Sequence, residues 1–245
     1  DTPSTHIIKP EPLRFPGLVA NEFFCMTLAK AVGLKVSAVG RRSVGDKPCL
    51  LIQRYDRTVG ADGAVTRLHQ EDFCQALGFP PEHKYQQEGG PLLRDCIALL
   101  REWSTAPVLD IRDFLDGQIF NVLIGNADAH GKNYSMLYQG GQRRLAPFYD
   151  QVCTLAWPEL SKTPAMKIGG YASLDVFTAA PWQKMAKETR LGWPLVRERM
   201  KALCRKILDG LQDPELLDAA NGDMEQRVAA LAQGRASAML QNLTL

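Results

Sequence analysis

The amino-acid sequence predicts an α+β fold in two lobes: a small β-rich N-terminal lobe over residues 1–57 and a larger helical C-terminal lobe over residues 58–245. Three observations carry that reading. The first 57 residues hold three strand-like stretches and a single helix-like one. Beyond residue 70 the apolar residues recur mostly at helical spacing. Within that second part, a helix apolar over most of its circumference runs directly into the polar loop Asn126-Ala127-Asp128-Ala129-His130-Gly131-Lys132-Asn133.

Taken in order, Thr5-His6-Ile7-Ile8-Lys9 reads as a strand ending in a lysine. From there a long stem with a point charge reaches phosphates from a sheet, although a strand-terminal lysine also serves as a plain solvated edge. Pro10 to Pro16, with three prolines, is a connecting loop. Asn21 is a good N-cap for a helix to about Val32, with Phe24, Leu28 and Ala31 as its stripe, Phe23 widening it and Gly33 as its stop. Glu22 either complements the helix dipole or pairs with Lys9. Lys35 to Ser43 and Pro48 to Tyr55 read as strands joined by the turn Gly45-Asp46. The second leads into Gln53-Arg54-Tyr55-Asp56-Arg57, which is either a hinge with Tyr55 bordering a base or an ordinary strand end with an Asp/Arg turn.

In the second lobe, Gln70-Glu71-Asp72 is expected to start a short helix that Gly78 stops. Lys84 to Gly90 is polar loop, and Pro91 stands at a first helical position before Leu92 to Trp103. Phe114, Leu115, Ile119, Phe120, Val122, Leu123 and Ile124 make a helix apolar nearly all round, hence buried. Tyr134 to Tyr138 and Arg143 to Phe148 are strands around the turn Gln139-Gly140-Gly141-Gln142. A Pro- and Gly-containing loop region runs to about Ser173. Val196, Met200, Leu203, Cys204, Ile207 and Leu211 then form one amphipathic face, and Met224, Val228, Leu231 and Ala232 another. There is no internal repeat. A small sheet with one helix, a hinge, and a helical lobe whose buried helix delivers a loop is the order of a protein-kinase-like fold.

The loop carries the chemistry. Asp128 and Asn133 stand five residues apart, the separation between the catalytic aspartate and the metal-binding asparagine in a kinase catalytic loop. The hairpin that follows returns the chain with Asp150 beside Asn133. A carboxylate and an amide on loops suit Mg²⁺, a hard ion otherwise held by phosphates and water. On Asp-x-His-x-x-Asn alone, turn and cap duties are the commoner role of such residues. Asp150 behind a strand-turn-strand pattern favours the site.

Composition excludes several classes. The chain has 45% hydrophobic and 23% charged residues, which is ordinary for a globular protein, and no run of about 18 apolar residues, so no membrane span is expected. Its 29 basic and 27 acidic residues give a formal charge of +2, which provides no strong reason for direct nucleic-acid binding. Cys25, Cys49, Cys74, Cys96, Cys153 and Cys204 lack Cys-x-x-Cys spacing and sit mostly among apolar neighbours. They read as reduced core thiols of a cytoplasmic protein and not as a zinc site. The chain has no signal-peptide pattern and no initiating Met, and it opens almost on a strand. An N-terminal part is therefore expected before residue 1.

Several motifs in one order resemble the HipA-like serine/threonine kinase toxins of bacterial toxin-antitoxin systems. They are Thr5 to Lys9, Asn21-Glu22-Phe23-Phe24-Cys25, Arg54-Tyr55-Asp56-Arg57, His69 to Gln75, Lys84-Tyr85 with Gly89-Gly90-Pro91, Asp128 to Asn133, and Leu145 to Asp150. The resemblance implies an ATP- and Mg²⁺-dependent protein kinase in which Asp128 is the catalytic base, Asn133 and Asp150 bind Mg²⁺, and Lys9 contacts the nucleotide phosphates. His130 and Lys132 would line the phosphate side, Lys132 as part of the catalytic loop. Ile7, Tyr55 and Tyr149 would border the nucleotide, with Gln53 near the adenine edge where the best-known member carries Glu. The resemblance further implies growth arrest through phosphorylation of an aminoacyl-tRNA synthetase. It also implies neutralisation by a cognate HipB-like helix-turn-helix antitoxin, with operator DNA bound mainly through that antitoxin. In this family an upstream Gly-containing loop carries a serine whose autophosphorylation switches the kinase off, and residues 1–245 do not include it. Two alternatives stay open: a catalytically silent nucleotide-binding subunit of an antitoxin-operator complex, and a small-molecule kinase.

Overall fold

A computed structural model describes residues 3–243. Its first part is a three-stranded antiparallel sheet with one helix laid against it. Strand β1 (His6–Pro10) and helix α1 (Leu18–Ala31) precede β2 (Val39–Val44) and β3 (Lys47–Gln53), and the sheet order is β1-β3-β2. The register sets His6 opposite Gln53 and Lys9 opposite Leu50. Val19, Leu50 and Ile52, with Phe23 and Val39, form a small separate core between helix and sheet.

Helix α1 starts one turn earlier than its sequence predicts. The Glu11 carboxylate caps it from the preceding loop, accepting from the backbone N–H groups of Gly17 and of Val19, the latter at 2.8 Å. Asn21 is therefore inside the helix and fully buried. Its side chain brackets the backbone of one distant residue: Oδ1 accepts from Cys153 N–H at 2.8 Å, and Nδ2 donates to Cys153 C=O at 3.1 Å.

A short hairpin, β4 (Arg57–Val59) and β5 (Val65–Arg67), leads to β6 (His69–Asp72) and α2 (Phe73–Ala76). The expected helix start at Gln70–Asp72 is thus a strand, because these residues pair antiparallel with a later strand, with Asp72 opposite Ser135. Asp72 then caps α2 by accepting from Gln75 N–H at 2.9 Å. Helices α3 (Leu93–Trp103) and α4 (Pro107–Ile124) follow, then the hairpin β7 (Ser135–Gln139) and β8 (Gln142–Leu145). Gly140 and Gly141 both adopt positive φ at its tip, 56° and 78°, as a two-residue turn matched to strand twist requires. The chain closes with α5 (Ala179–Thr189), α6 (Trp193–Gly210), α7 (Pro214–Ala219) and α8 (Asp223–Asn242). Helices α5 and α7 add to the two helices read from the sequence.

Helix α4 is the axis of the second lobe. It is buried from Phe114 to Ile124 and packs against α3, α6 and α8. Buried charge fixes its orientation. Asp116 holds the Arg199 guanidinium of α6 at 2.6 and 2.8 Å, and Asp110 holds Arg144 of β8 at 2.9 Å. All six cysteines are free and buried. Among the described residues no helix is long and apolar enough to cross a membrane.

One seam ties the lobes at the segment that carries Asp150. Phe148 bridges to Val36 in parallel fashion, donating to Lys35 C=O at 2.7 Å and accepting from Ser37 N–H at 2.9 Å. Its ring lies on α4 at Gly117, where a Cβ would stand 2.6 Å from the ring. A ring in a closed core cannot yield that distance cheaply. Gly117→Ala is therefore expected to destabilise the protein by about 1–3 kcal/mol despite alanine's better helix propensity. Denaturant titration checks this, and an alanine variant as stable as the wild type would contradict the packing.

Candidate functional site

The polar loop is positioned by neutral hydrogen bonds. Helix α4 ends at Gly125 in the left-handed region, φ 77°, a conformation that glycine reaches without strain. Asn126 then folds back. Its N–H donates to Asn121 C=O at 2.8 Å, its Nδ2 donates to Asn121 Oδ1 at 2.9 Å, and its Oδ1 accepts from Asp128 N–H at 3.0 Å. Asn121 in turn donates to the buried Tyr134 hydroxyl at 2.8 Å. Thr154 holds the other side, accepting from Ala127 N–H at 2.8 Å and donating to Gly125 C=O at 3.1 Å. The outcome is a fixed backbone with the Asp128 side chain exposed. One Asp128 oxygen, Oδ1, accepts from the Tyr85 hydroxyl at 2.8 Å. Tyr85 stands edge-on to His130 at 5.4 Å.

Lys9 meets two carboxylates. Its Nζ donates to Glu22 at 2.8 and 3.1 Å and to Asp150 Oδ1 at 2.6 Å. Of the two readings of Glu22, the pairing with Lys9 is the one formed. Burial pulls the Lys9 ammonium down, but the charges of Asp150 and Glu22 outweigh it and hold its pKa above the usual value. Glu22 moves the opposite way from a simple salt-bridge partner: burial pushes its carboxyl up to about 7, against the pull of Lys9. The two shifts are compatible because one cation serves two carboxylates. Glu22 is 3% exposed against 38% for Asp150, so the inner carboxyl takes up a proton more readily than a free glutamate.

Asp150 adopts φ 57°, rare for a residue with a side chain, and its Oδ2 accepts from Asn133 Nδ2 at 2.7 Å. Asn133 and Asp150 are thus brought together as the spacing predicts. A carboxylate beside an amide, in a cluster with more acid than base, fits a magnesium ion that draws its remaining ligands from phosphate and water. The Asn133 oxygen accepts from His130 N–H at 3.0 Å. Its use as a metal ligand requires a half-turn of the amide and loss of that bond.

The other expected residues divide into two groups. Tyr55 stacks on Tyr149 with ring centroids 5.7 Å apart, and Tyr149 donates to Lys132 C=O at 2.8 Å. Ile7 pairs with Ile52 across the sheet, and Gln53 ends β3 with its N–H on Ala38 C=O. Lys132 makes no ion pair among the described residues. His130 is buried with Nδ1 unpartnered, and burial lowers its pKa although Asp128 opposes this. At pH 7 it offers hydrogen bonds and not charge. The second group, Lys9, Asp128 and Asp150, lines a cavity of about 450 Å³ walled by Phe15, Leu18, Trp157 and Leu160. Neither this wall nor Tyr85's contact with Asp128 was read from the sequence. The contact joins residues 43 apart, and only the Lys84-Tyr85 motif hinted at it.

The fold defines a protein-kinase-like chain, in which a lysine and glutamate of a small sheet-and-helix lobe meet Asp150 of a helical lobe and, through it, Asn133 of the polar loop. The comparisons agree. The model of the HipA-like C-terminal domain matches residues 1–213, and the chain belongs to that family. It is 52% identical to Y4mE of Sinorhizobium fredii over 200 residues, 82% of this chain and 48% of that protein. It is 33% identical to the serine/threonine-protein kinase toxin HipA of Shewanella oneidensis over 227 residues, 87% of this chain and 52% of that protein. A chain in the solved complex of Shewanella oneidensis HipA, HipB and operator DNA superposes with a TM-score of 0.83 and 28% identity, over 98% of this chain and 58% of the other. The Helicobacter pylori kinase CtkA shares the fold alone, with a TM-score of 0.63 and 14% identity over 97% of this chain and 88% of that one. The chain spans about half the length of the curated relatives it matches.

The raised Glu22 pKa gives stability a definite pH dependence. Between the ordinary glutamate value and about 7 the folded state holds a proton that the unfolded state has released. This contribution is complete below the ordinary value and is lost as pH rises through 7. Glu22→Gln is expected to flatten the fall in thermal midpoint across that window. Parallel melting curves for variant and wild type from pH 4.5 to 8 would refute it.

Proposed function

We propose that this chain carries the phosphotransfer site of an ATP- and Mg²⁺-dependent serine/threonine protein kinase, the toxin of a toxin-antitoxin system. The observation that supports this most is the junction at Asp150, whose two oxygens are taken by Lys9 of the small lobe and Asn133 of the loop. A single carboxylate binds together what a kinase must converge on the phosphates.

In this reading the nucleotide lies on the Tyr55 and Tyr149 side, bordered by Ile7, with Gln53 at the adenine edge. Lys9 neutralises phosphate charge, and Lys132 and His130 flank the phosphates. Asn133 and Asp150 hold Mg²⁺, which when bound supplies charge neutralisation of the transferred phosphoryl group. Asp128 receives the acceptor hydroxyl. With Oδ1 held by Tyr85, Oδ2 faces the substrate and takes its proton as the serine or threonine oxygen bonds to the γ-phosphorus and ADP leaves. The target is an aminoacyl-tRNA synthetase, and the regulator is a HipB-like antitoxin that holds operator DNA. Support for the antitoxin and operator partners is the relative named as a toxin and the solved complex with HipB and DNA; the synthetase target follows from the sequence resemblance alone.

The test is transfer from labelled ATP by the native-length protein to a panel of aminoacyl-tRNA synthetases. Label should appear on one synthetase, and Asp128→Ala should lower transfer by about 10²- to 10⁴-fold with an unchanged melting temperature. Full activity in that variant would sink the assignment of the base. Tyr85→Phe should reduce kcat about tenfold, the worth of one charge-assisted hydrogen bond, while leaving KM for ATP unchanged. Asp150→Asn should weaken Mg²⁺-dependent nucleotide binding, and an unaltered Mg²⁺ titration would argue against it as a ligand.

A further inference from the structure

The 450 Å³ cavity beside Asp128 has two unlike kinds of lining. Lys9, Glu22, Asp128 and Asp150 are charged, whereas Phe15, Leu18, Trp157 and Leu160 make an apolar wall. Phe15 meets Trp157 edge to face, with centroids 5.9 Å apart and planes at 68°, which shapes a concave aromatic corner. Phe15 and Leu18 sit on the approach to α1 and at its first residue, while Trp157 and Leu160 belong to the segment after Asp150. The corner is therefore assembled from both lobes. Gln87 and Ser161, both exposed, stand at its rim, and Thr163 beside them is half-buried.

A hydroxyl placed on Asp128 borders this space, because the carboxylate is part of its lining. The space is at the small end of the range for ligand sites and takes a side chain or two, not a folded surface. Its wall offers apolar contact without a charge partner, and its rim offers amide and hydroxyl groups of the kind that hydrogen-bond an extended backbone. We infer that the Phe15–Trp157 corner is a specificity pocket of the acceptor side: the substrate is a polypeptide segment carrying a large apolar residue within a few positions of the phosphorylated serine or threonine. This inference rests on the protein-kinase reading and adds a substrate class to it.

The experiment is phosphorylation of a positional-scanning peptide library by the native-length protein with ATP and Mg²⁺. Each peptide carries one serine, with every residue type varied from three positions before it to three after. Leu, Met, Phe or Trp at one position should raise kcat/KM about tenfold or more over Asp, Lys or Gly there. Trp157→Ala should erase most of that preference. Since Trp157 is buried, its melting curve is compared with the wild type. Leu160→Glu, at a half-buried position, should shift the preference at that position toward Lys and Arg while the protein stays folded. Peptides phosphorylated without an apolar preference, or with one that neither variant alters, would overturn the pocket and leave the kinase reading standing. Transfer to metabolites or lipids alone, with no peptide or protein labelled, would overturn both.

Discussion

The ammonium of Lys9 is the point on which the arrangement turns. It leaves a strand, is gripped by a carboxylate from the helix packed on that strand's sheet, and reaches a second carboxylate on the far lobe. Exposed ion pairs are worth little, but this one closes on a glutamate that is almost wholly buried. Loss of the lysine would remove the charge that holds the buried Glu22 carboxyl down and drive it toward its protonated form. The cluster carries one more carboxylate than cation, and Glu22 answers that imbalance by titrating near neutrality.

Around that point the lobes are joined by devices of different character. The Phe148 seam uses backbone hydrogen bonds and an aromatic ring fitted to a glycine. The Asn21 bracket uses one side-chain amide to engage both the N–H and the C=O of buried Cys153. Both attach to the segment on either side of Asp150, at Phe148 and at Cys153. The positive φ of Asp150 lies between these two anchors, and its geometry is imposed by them.

The sequence made the loop and its hairpin legible because Asp128, Asn133 and Asp150 are close along the chain, where spacing rules apply. The buried helix α4 was legible because a helix apolar around its circumference is stable in water only when it is covered on every side. Asn21 was misread as a cap because the group that caps α1, the Glu11 carboxylate, arrives from a proline-rich loop. Residues 70–72 were misread as helix because Gln, Glu and Asp carry little strand preference, and the pairing with β7 overrode it. The Tyr85–Asp128 contact and the Phe15–Trp157 corner join residues far apart in the chain, beyond the reach of any local pattern.

The division of labour between amides and charges has a further consequence. The loop that bears Asp128 is set by Asn121, Asn126, Thr154 and Tyr134, all uncharged and mostly out of solvent. Lys9, Glu22 and Asp150 form a charged cluster that solvent partly reaches. Dissolved ions screen the second and hardly touch the first. Ionic strength therefore acts on the charged one of the contacts between the lobes, while the uncharged contacts and the loop keep their shape.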